Sequence, residues 1–339
     1  MGAEEEVMSK KVSIYRSWRQ TLYGYLALAR ISNSPTVVSN TLAGAALAGA
    51  VWPAGKVGLM ALPVAIAMVL FYTAGMYLND LMDYAVDCRE RPERPLPAGI
   101  VSRQVAVAVV LALFGSGSLL LWGVGPPHFV HIPFLSGLVL IALIICYDRW
   151  HKSNPLSPLL MALCRLMVYI TALYSFQTAE TQSRCGSVVA VCLSRSDSAT
   201  LAFSAQSLST LLIPGSLLVL YVIGLTYIAK TENKPSMTNV SIVATLFLPT
   251  VYFTVQQLQQ VQWVTLPLIL FFTIWVAYSV TFAFRSPKRQ VGRAVGQLIA
   301  GISLLDALVL ATAGSPLGVL LALVAFGLTL SLQRYVRGT

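Results

Sequence analysis

The stretch LNDLMDYAVDCRERPERPLPAG, residues 78–99, places three aspartates and three arginines directly behind an apolar run. Asp80, Asp83 and Asp87 recur at intervals of three and four residues, which puts them on one face of a helix over two turns. Carboxylates so close together repel one another unless a cation lies between them. The stretch therefore predicts a charged site at the end of a hydrophobic helix.

The composition of the whole chain indicates a membrane protein. Of 339 residues, 56% are hydrophobic and 11% are charged, whereas a soluble domain carries roughly 25% charged residues. The net charge of +10 comes from basic residues that lie between apolar segments, not in one patch. Such charges usually set orientation and meet anionic lipid. We therefore predict an all-α, polytopic membrane helix bundle, with the lipid bilayer and not nucleic acid as its partner.

Apolar segments of spanning length recur along the chain. A spanning helix needs about 20 mainly apolar residues. The candidate spans are 34–54, 57–78, 103–123, 130–147, 156–176, 209–229, 238–256, 262–284, 295–313 and 316–333. Gly314-Ser315-Pro316 separates the last two, which form either two full spans or one span and a broken piece. We predict about nine transmembrane helices, with a tenth segment as the alternative.

The flanking and linking segments divide the chain further. Tyr15–Arg30 interleaves basic and aromatic residues, which is typical of an amphipathic helix on a membrane surface. We therefore predict a cytoplasmic N-terminus with this surface helix over 1–33 and a transmembrane domain over 34–334. Within that domain, 177–208 is rich in Ser, Thr and Ala and is predicted to be a long external loop.

Basic residues alternate from loop to loop, which predicts the orientation. Lys and Arg concentrate in the N-terminus and in the even-numbered loops, which we therefore expect to face the cytoplasm. The acidic stretch 78–99 lies on that side, and the membrane is a bacterial inner membrane or an organelle membrane. Cys185 and Cys192 share the predicted external loop, and they can pair only if it faces an oxidising compartment.

The acidic helix end has the chemistry of a diphosphate site. Mg²⁺ prefers hard oxygen ligands and is usually bound by one or two carboxylates together with substrate phosphates. The arginines that follow, among them Arg94, can neutralise phosphate oxygens through bidentate contacts. The alternative is that the acids end a helix in water and pair with the nearby arginines.

This run of residues also resembles a known signature. LNDLMDYAVDCRERPERPLPAGIVSR looks like the first motif of the UbiA superfamily of intramembrane prenyltransferases, NDxxDxxxD followed by an RP(L/I)P(S/A)G turn. Asn79, Asp80, Asp83 and Asp87 fill the motif, and 94–99 fills the turn. The resemblance implies a UbiA-like bundle in which these four residues bind a prenyl diphosphate, the three aspartates through Mg²⁺, with Arg94 on the phosphates.

Two further loops match the family in part. Residues 147–155, YDRWHKSNP, resemble its short cytoplasmic loop after the fourth span, which makes Lys152 and, further into the next helix, Arg165 expected phosphate ligands. The family normally carries a second acidic cluster after the sixth span. The loop there reads AKTENKP, in which Glu232 is the one acid and the expected remaining metal ligand. Lys230 and Lys234 beside it are expected to take diphosphate charge.

Polar residues inside the predicted spans form the third candidate group. An intramembrane carboxylate such as Asp306 marks a functional site by default. It either faces a central cavity and orients a polar acceptor or pairs with a basic side chain such as Arg30 or Arg293. Asn33 and Asn40 lie seven residues apart on one helix face, where they reach an acceptor headgroup or bond to a neighbouring helix.

These features predict a Mg²⁺-dependent prenyltransferase that moves an isoprenoid group from a prenyl diphosphate to a small aromatic or cyclic acceptor. Within the superfamily, Ala29–Gly49 and Gly224–Asn233 look most like the EboC-like branch. The alternative is a non-catalytic UbiA-like membrane protein that binds or translocates an isoprenoid or a metabolite precursor. The incomplete second motif favours this alternative, and the intact first motif disfavours it.

Overall fold

The computed structural model describes residues 18–49, 55–124, 132–151, 154–184, 196–232, 240–259, 263–284 and 290–336. Within these ranges the chain forms helices and turns without a strand, which confirms the all-α class. The α-helices are α1 Trp18–Leu28, α2 Pro35–Leu47, α3 Gly55–Met82, α4 Tyr84–Glu90, α5 Arg103–Val124, α6 Ile132–Trp150, α7 Ser157–Arg184, α8 Ser196–Lys230, α9 Leu248–Gln259, α10 Thr265–Phe284, α11 Val291–Thr312 and α12 Pro316–Tyr335. Short 3₁₀ helices cover Ile31–Asn33 and Val240–Phe247.

Among the described residues, nine helical segments are long and apolar enough to cross a membrane. The number agrees with the prediction, and the protein is an integral membrane protein. Both α11 and α12 are among the nine, so the break at Gly314 separates two full helices. Gly314 has a φ of 70°, a left-handed conformation that costs glycine little because it lacks a Cβ atom.

The first predicted span, 34–54, differs from the helix that the structure has there. Helix α2 has 13 residues, about 20 Å at roughly 1.5 Å per residue, which is short of a full crossing. It packs against α3, α7, α11 and α12, and ten of its residues are buried. Helix α2 is therefore an interior helix of the bundle, which explains why its sequence combines small and polar residues with no long apolar stripe.

Close packing of α2 depends on Gly44. A Cβ atom at this position would lie 2.6 Å from the carbonyl oxygen of Tyr169 on α7 and 2.9 Å from the Cβ of Ala172. Small residues at helix interfaces let backbones approach closely in a membrane. The contact brings the polar residues of α2 against α7.

Helix α1 occupies most of the predicted surface helix. It exposes Trp18, Leu22 and Tyr23, whereas Leu28 at its end is buried. An exposed aromatic and aliphatic edge is compatible with a helix that lies on lipid, and its location on the membrane surface stays a prediction.

The predicted external loop 177–208 contains helical residues at both ends. Helix α7 continues to Arg184, and α8 begins at Ser196. Cys185 and Cys192 lie outside the described residues, as does any bond between them.

Two hydrophobic clusters flank the centre of the bundle. One contains Met68 and Leu140 from α3 and α6, and the larger one contains Val222 and Ile302 from α8 and α11. These four residues also line one cavity. The cavity therefore lies where the two clusters face each other.

Candidate active site

The cavity has a volume of about 410 Å³, within the range of roughly 300–1,000 Å³ that is usual for small-molecule sites. Its walls come from α2, α3, α6, α7, α8 and α11. Met68 on α3 precedes Asp80 by about three helical turns, or roughly 18 Å. The cavity therefore reaches from the charged helix ends deep into the apolar interior.

Charged residues gather at the mouth of the cavity. Helices α3, α6 and α8 end here, and α7 and α11 begin here, so three segments distant in sequence meet: the acidic stretch, the turn after α6 and the turn after α8. The ionisable residues of these segments that line the cavity are Arg91, Arg94, Asp148, His151, Lys230 and Glu232. Arg30, which precedes α2, joins them. The mouth is therefore a mixed site of acids and cations.

The first-motif acids lie behind this lining and are paired with arginines. Asp80 and Asp87 are 7% and 6% exposed. Arg94 lies 2.7 Å from Asp87 and 3.6 Å from Asp80. Arg30 reaches Asp80 from another part of the chain, at 3.4 Å. Pairing with arginine was one of the two interpretations of these acids, but the carboxylates are buried in the protein and do not end a helix in water.

The RPLPAG turn holds Arg94 over the acids. Leu96 is buried, and the amide of Ile100 donates to the carbonyl oxygen of Pro95 at 2.8 Å. Gly99 closes the turn with a φ of 62°, which a residue with a Cβ rarely adopts. The turn therefore folds the chain back so that Arg94 points towards Asp80 and Asp87.

Asp148, at the end of α6, is a site residue that the sequence interpretation missed. Its Oδ1 accepts a hydrogen bond from Nδ2 of Asn79 at 3.1 Å. Asn79 in turn accepts one from Arg30 at 3.3 Å. Asp148 is 4% exposed, and its Oδ2 is buried without a hydrogen-bond partner among the residues that the structure describes. Asp148 directly follows the predicted span 130–147 and belongs to the loop 147–155 that was selected for Lys152, so its place beside an apolar run was the available signal.

His151 ties the end of α6 to the acidic motif. Its Nε2 lies 3.6 Å from Oδ2 of Asp83, and its Nδ1 lies 3.2 Å from the carbonyl oxygen of Asp148. The hydrogen bond to Asp83 raises the pKa of His151 above its ordinary value. The side chain therefore joins Asp83 to the end of α6 at the mouth.

The turn after α8 reaches the mouth through two residues. Nζ of Lys230 donates to the carbonyl oxygen of Asn154 at 2.9 Å, which joins this turn to the one after α6. Glu232 is exposed and lines the mouth. The other two expected phosphate ligands, Lys152 and Lys234, lie outside the described residues.

Arg165 is a cation in the wall of the cavity. Its Nη1 donates to Oδ1 of Asn40 at 2.9 Å, and its Nη2 donates to Oγ1 of Thr36 at 3.0 Å. The guanidinium lies 5.7 Å from the ring centre of Tyr72, which also lines the cavity. Helix α2 therefore fixes the direction of Arg165.

Asp306 lies behind Arg165, fully buried. It accepts hydrogen bonds from Asn40 at 2.9 Å, from Ser39 at 2.5 Å and from Tyr169 at 2.6 Å. These bonds join it to Arg165 through Asn40. The expected partners are engaged elsewhere, because Arg30 bonds to Asn79 and Asp80 and Arg293 lies over the ring of Phe282 at 4.1 Å.

Asn33 lies nearer the mouth and lines the cavity. Its Oδ1 accepts a hydrogen bond from Nε2 of Gln333 on α12 at 2.9 Å. The two asparagines predicted to share a face therefore differ in role: Asn33 joins the cavity wall to α12, and Asn40 joins Arg165 to Asp306.

The donor atoms at the mouth suit a hard cation. Over the part of the chain that the structure describes, no three His, Cys, Asp or Glu side chains are gathered to hold a metal ion. Asp80 and Asp87 face arginines instead. Carboxylate and amide oxygens are nevertheless the ligands that Mg²⁺ prefers, and it needs few of them when a phosphate supplies the rest. The unpartnered Oδ2 of Asp148 is one such oxygen, so the residues present fit Mg²⁺ in their chemistry.

The fold and the site together define an intramembrane helical bundle that can hold a molecule with one anionic and one apolar end. The model of the UbiA prenyltransferase family matches residues 37–291, and the chain belongs to this family. Membership confirms the resemblance carried by the acidic motif and its arginine turn, and it places the protein in a family of prenyl-transferring enzymes.

Curated relatives match part of the chain. The digeranylgeranylglyceryl phosphate synthase of Thermococcus kodakarensis is 34% identical over 110 residues, which is 32% of this chain and 38% of that protein. The enzyme of the same name from Ignicoccus hospitalis is 39% identical over 106 residues, 31% of this chain and 33% of that protein. The one from Methanoregula boonei is 33% identical over 134 residues, which is 39% of this chain and 44% of that protein. The matches thus span less than half of these relatives.

A solved structure supports the fold over a longer range. A structure from a study of digeranylgeranylglyceryl phosphate synthase in membranes aligns with a TM-score of 0.53 at 15% identity. The alignment covers 87% of this chain and 99% of that one. The likeness extends the shared architecture to nearly the whole bundle. The finer resemblance to the EboC-like branch stays a prediction.

Proposed function

We propose that the protein transfers a prenyl group from a prenyl diphosphate to an acceptor held in the cavity. The observation that carries the proposal is the continuity between an apolar interior, lined by residues such as Met68 and Leu140, and a mouth lined by Arg94 and Lys230. A prenyl diphosphate has the same division, since its tail is apolar and its head is anionic. Its tail lies among the helices, and its diphosphate lies at the mouth.

Cations at the mouth bind the diphosphate. Arg94 and Lys230 line it, and Lys152 and Lys234 are close to His151 and Glu232 in the sequence. Asp80, Asp83, Asp87 and Glu232 are the proposed magnesium ligands, and Asn79 stands beside them in the diphosphate site. Mg²⁺, when bound, supplies positive charge that neutralises the phosphate oxygens of the leaving group.

The cavity wall favours the bond cleavage that follows. Breaking the bond between the prenyl carbon and the diphosphate oxygen sends the electron pair to the diphosphate and leaves an allylic cation. The face of an aromatic ring such as that of Tyr72 stabilises a nearby cation, and Tyr72 lines the cavity. The apolar wall excludes water, which protects the cation until the acceptor attacks it. The acceptor loses a proton as its bond to the prenyl carbon forms, and the released pyrophosphate takes up that proton.

The acceptor meets the polar part of the wall. Arg165 points there, and Asn40 and Asp306 orient it through the bonds described above; Asn33 also lines the wall. A small aromatic or cyclic acceptor with a hydroxyl or carboxylate group suits these donors.

A glyceryl phosphate acceptor is the second candidate. The curated relatives are digeranylgeranylglyceryl phosphate synthases, and an arginine fork in the cavity wall suits a phosphate group as well as a carboxylate. With either acceptor the mouth faces the cytoplasm, as the distribution of Lys and Arg indicates, and the membrane is a bacterial inner membrane or an organelle membrane.

The test is a transfer assay with purified protein in nanodiscs, Mg²⁺ and labelled farnesyl or geranylgeranyl diphosphate. A hydroxyaromatic acid and a prenylglyceryl phosphate are offered in separate reactions. We expect prenylated product and pyrophosphate with one acceptor class, and loss of both with Asp83→Asn. Binding of the labelled diphosphate without product from either class would instead support the non-catalytic isoprenoid-binding alternative.

A further inference from the structure

Asp148 is a buried acid that neither acidic motif contains. It stands two residues before the end of α6, is 4% exposed and lines the cavity. One of its oxygens, Oδ1, accepts a hydrogen bond from Asn79 at 3.1 Å, and the other, Oδ2, has no hydrogen-bond partner within the described ranges. Buried polar atoms are nearly always hydrogen-bonded, so an orphaned carboxylate oxygen beside a binding site requires an explanation.

The surroundings of Asp148 belong to the first motif. Asn79 contacts it directly. His151 lies between the carbonyl oxygen of Asp148 and the carboxylate of Asp83, at 3.2 Å and 3.6 Å. Asp148 thus reaches the motif from a second helix, α6, whereas Arg94 reaches Asp80 and Asp87 from the turn that follows the motif.

The second motif leaves a shortage of oxygen ligands. Its turn supplies one acid to the described mouth, Glu232, and that side chain is exposed. A cation that bridges a diphosphate to the protein is held most firmly by ligands from more than one direction. Within the described chain, the unpartnered oxygen of Asp148 is the available buried donor on the α6 side.

We propose that Asp148 is a further magnesium ligand, which completes the magnesium–diphosphate site in place of the acid that the second motif lacks. The inference rests on the proposed function, because it concerns the same substrate and the same mouth. Its Oδ2 coordinates the cation, while its Oδ1 keeps Asn79 in position.

The competing explanation is that Asp148 only positions Asn79. The variant Asp148→Asn distinguishes the two explanations. Its amide oxygen still accepts the hydrogen bond from Asn79, but the side chain has no anionic oxygen for a cation. Asp148→Glu retains the charge in a longer side chain. Glu90→Gln is the matched control, since Glu90 is an exposed acid on α4 outside the cavity lining.

The experiment measures binding of Mn²⁺, a paramagnetic substitute for Mg²⁺, to the full-length protein in detergent with inorganic pyrophosphate present. Free Mn²⁺ is followed by electron paramagnetic resonance. We expect Asp148→Asn to weaken Mn²⁺ binding by about tenfold or more, since even an outer partner of a metal site is worth about 10–100-fold. Asp148→Glu should retain part of the affinity, and Glu90→Gln should match the wild type.

Wild-type Mn²⁺ affinity in Asp148→Asn would overturn the inference, as would the absence of pyrophosphate-dependent Mn²⁺ binding in the wild type. If Asp148→Asn does not give a monodisperse, cooperatively unfolding protein, the Mn²⁺ affinity of Asp148→Ser is compared with that of the wild type instead. The transfer assay tests the proposed function separately from this binding experiment. Mn²⁺–pyrophosphate binding that depends on Asp148, without prenyl transfer to any acceptor, would leave the ligand assignment intact and contradict the proposed function.

Discussion

Asn40 donates its amide hydrogens to both carboxylate oxygens of Asp306, each at 2.9 Å, and the two residues lie 266 positions apart in the chain. The opposite end of the same amide accepts from Arg165 at 2.9 Å. One asparagine therefore connects a fully buried acid to a cation in the cavity wall. The connection explains how the bundle keeps both charges at this depth, since a buried charge is tolerated when it is paired and hydrogen-bonded.

Asn40→Ala should destabilise the protein and impair the cavity. Removing the amide takes both Asn40 contacts from Asp306 and one hydrogen bond from Arg165, and an unsatisfied buried partner costs about 1–3 kcal/mol. We expect a lower thermal midpoint in detergent and a reduced rate of prenyl transfer. Thr41→Ala is the control on the same helix, because the Thr41 hydroxyl bonds to the backbone of its own helix. Equal loss in the two variants would argue against the connection.

Tyr169→Phe should cost more stability than Tyr221→Phe. Both tyrosines are fully buried. The hydroxyl of Tyr169 donates to Asp306 at 2.6 Å, and that of Tyr221 donates to the carbonyl oxygen of Leu298 at 2.9 Å. A hydrogen bond to a charged group is worth about 1.5–3 kcal/mol and one to a neutral group about 0.5–1.5 kcal/mol. Thermal unfolding of the two variants measures the difference, and an equal or reversed order would contradict a stronger bond at Asp306.

Arg94→Ala should raise the KM for the prenyl diphosphate. The change removes a cation from the mouth and leaves Asp87 without its partner at 2.7 Å. A lost charge-assisted contact of about 1.5–3 kcal/mol corresponds to a rise in KM of roughly 10–150-fold. Arg149→Ala serves as the control, because Arg149 is exposed and does not line the cavity. An unchanged KM in Arg94→Ala would remove Arg94 from the diphosphate site.

Gly44→Ala should loosen the packing of α2. The added Cβ would lie 2.6 Å from the backbone oxygen of Tyr169, which cannot turn away as a flexible side chain can. Overpacking of this kind costs about 1–3 kcal/mol. Gly115→Ala on α5 is the matched control, since its Cβ would meet nothing within 4 Å, and alanine favours a helix over glycine by about 1 kcal/mol. Thermal midpoints that fall for Gly44→Ala and hold or rise for Gly115→Ala fit the structure, whereas equal midpoints contradict it.

Much of the fold could be predicted because apolar spans are a local property. The length and hydropathy of the run 103–123 are enough to predict a spanning helix, and α5 covers Arg103–Val124. The exception is α2, for which the apolar run 34–54 predicted a full span. Hydropathy does not distinguish a helix that crosses lipid from a short one that other helices surround, and the packing of α2 on four neighbours decides the matter.

The residues of the candidate site also fall into those that the sequence predicts and those that only the fold brings in. The spacing of Asp80, Asp83 and Asp87 is a property of one helix and its turn, so the sequence alone determined that these acids lie together beside Arg94. The partners of those acids come from elsewhere. Arg30 reaches Asp80 across 50 positions, and Asp148 reaches Asn79 across 69.

The sequence by itself determined that this is a helical membrane protein with a UbiA-type acidic motif, because hydropathy and helical spacing act over a few turns. Only the tertiary structure decided which buried charges face one another: Asp306 with Arg165 through Asn40, and Asp148 with the motif through Asn79. The physical reason is that a charge inside a bundle must be compensated within hydrogen-bonding distance, and the compensating group comes from whichever helix packs there, irrespective of its place in the chain.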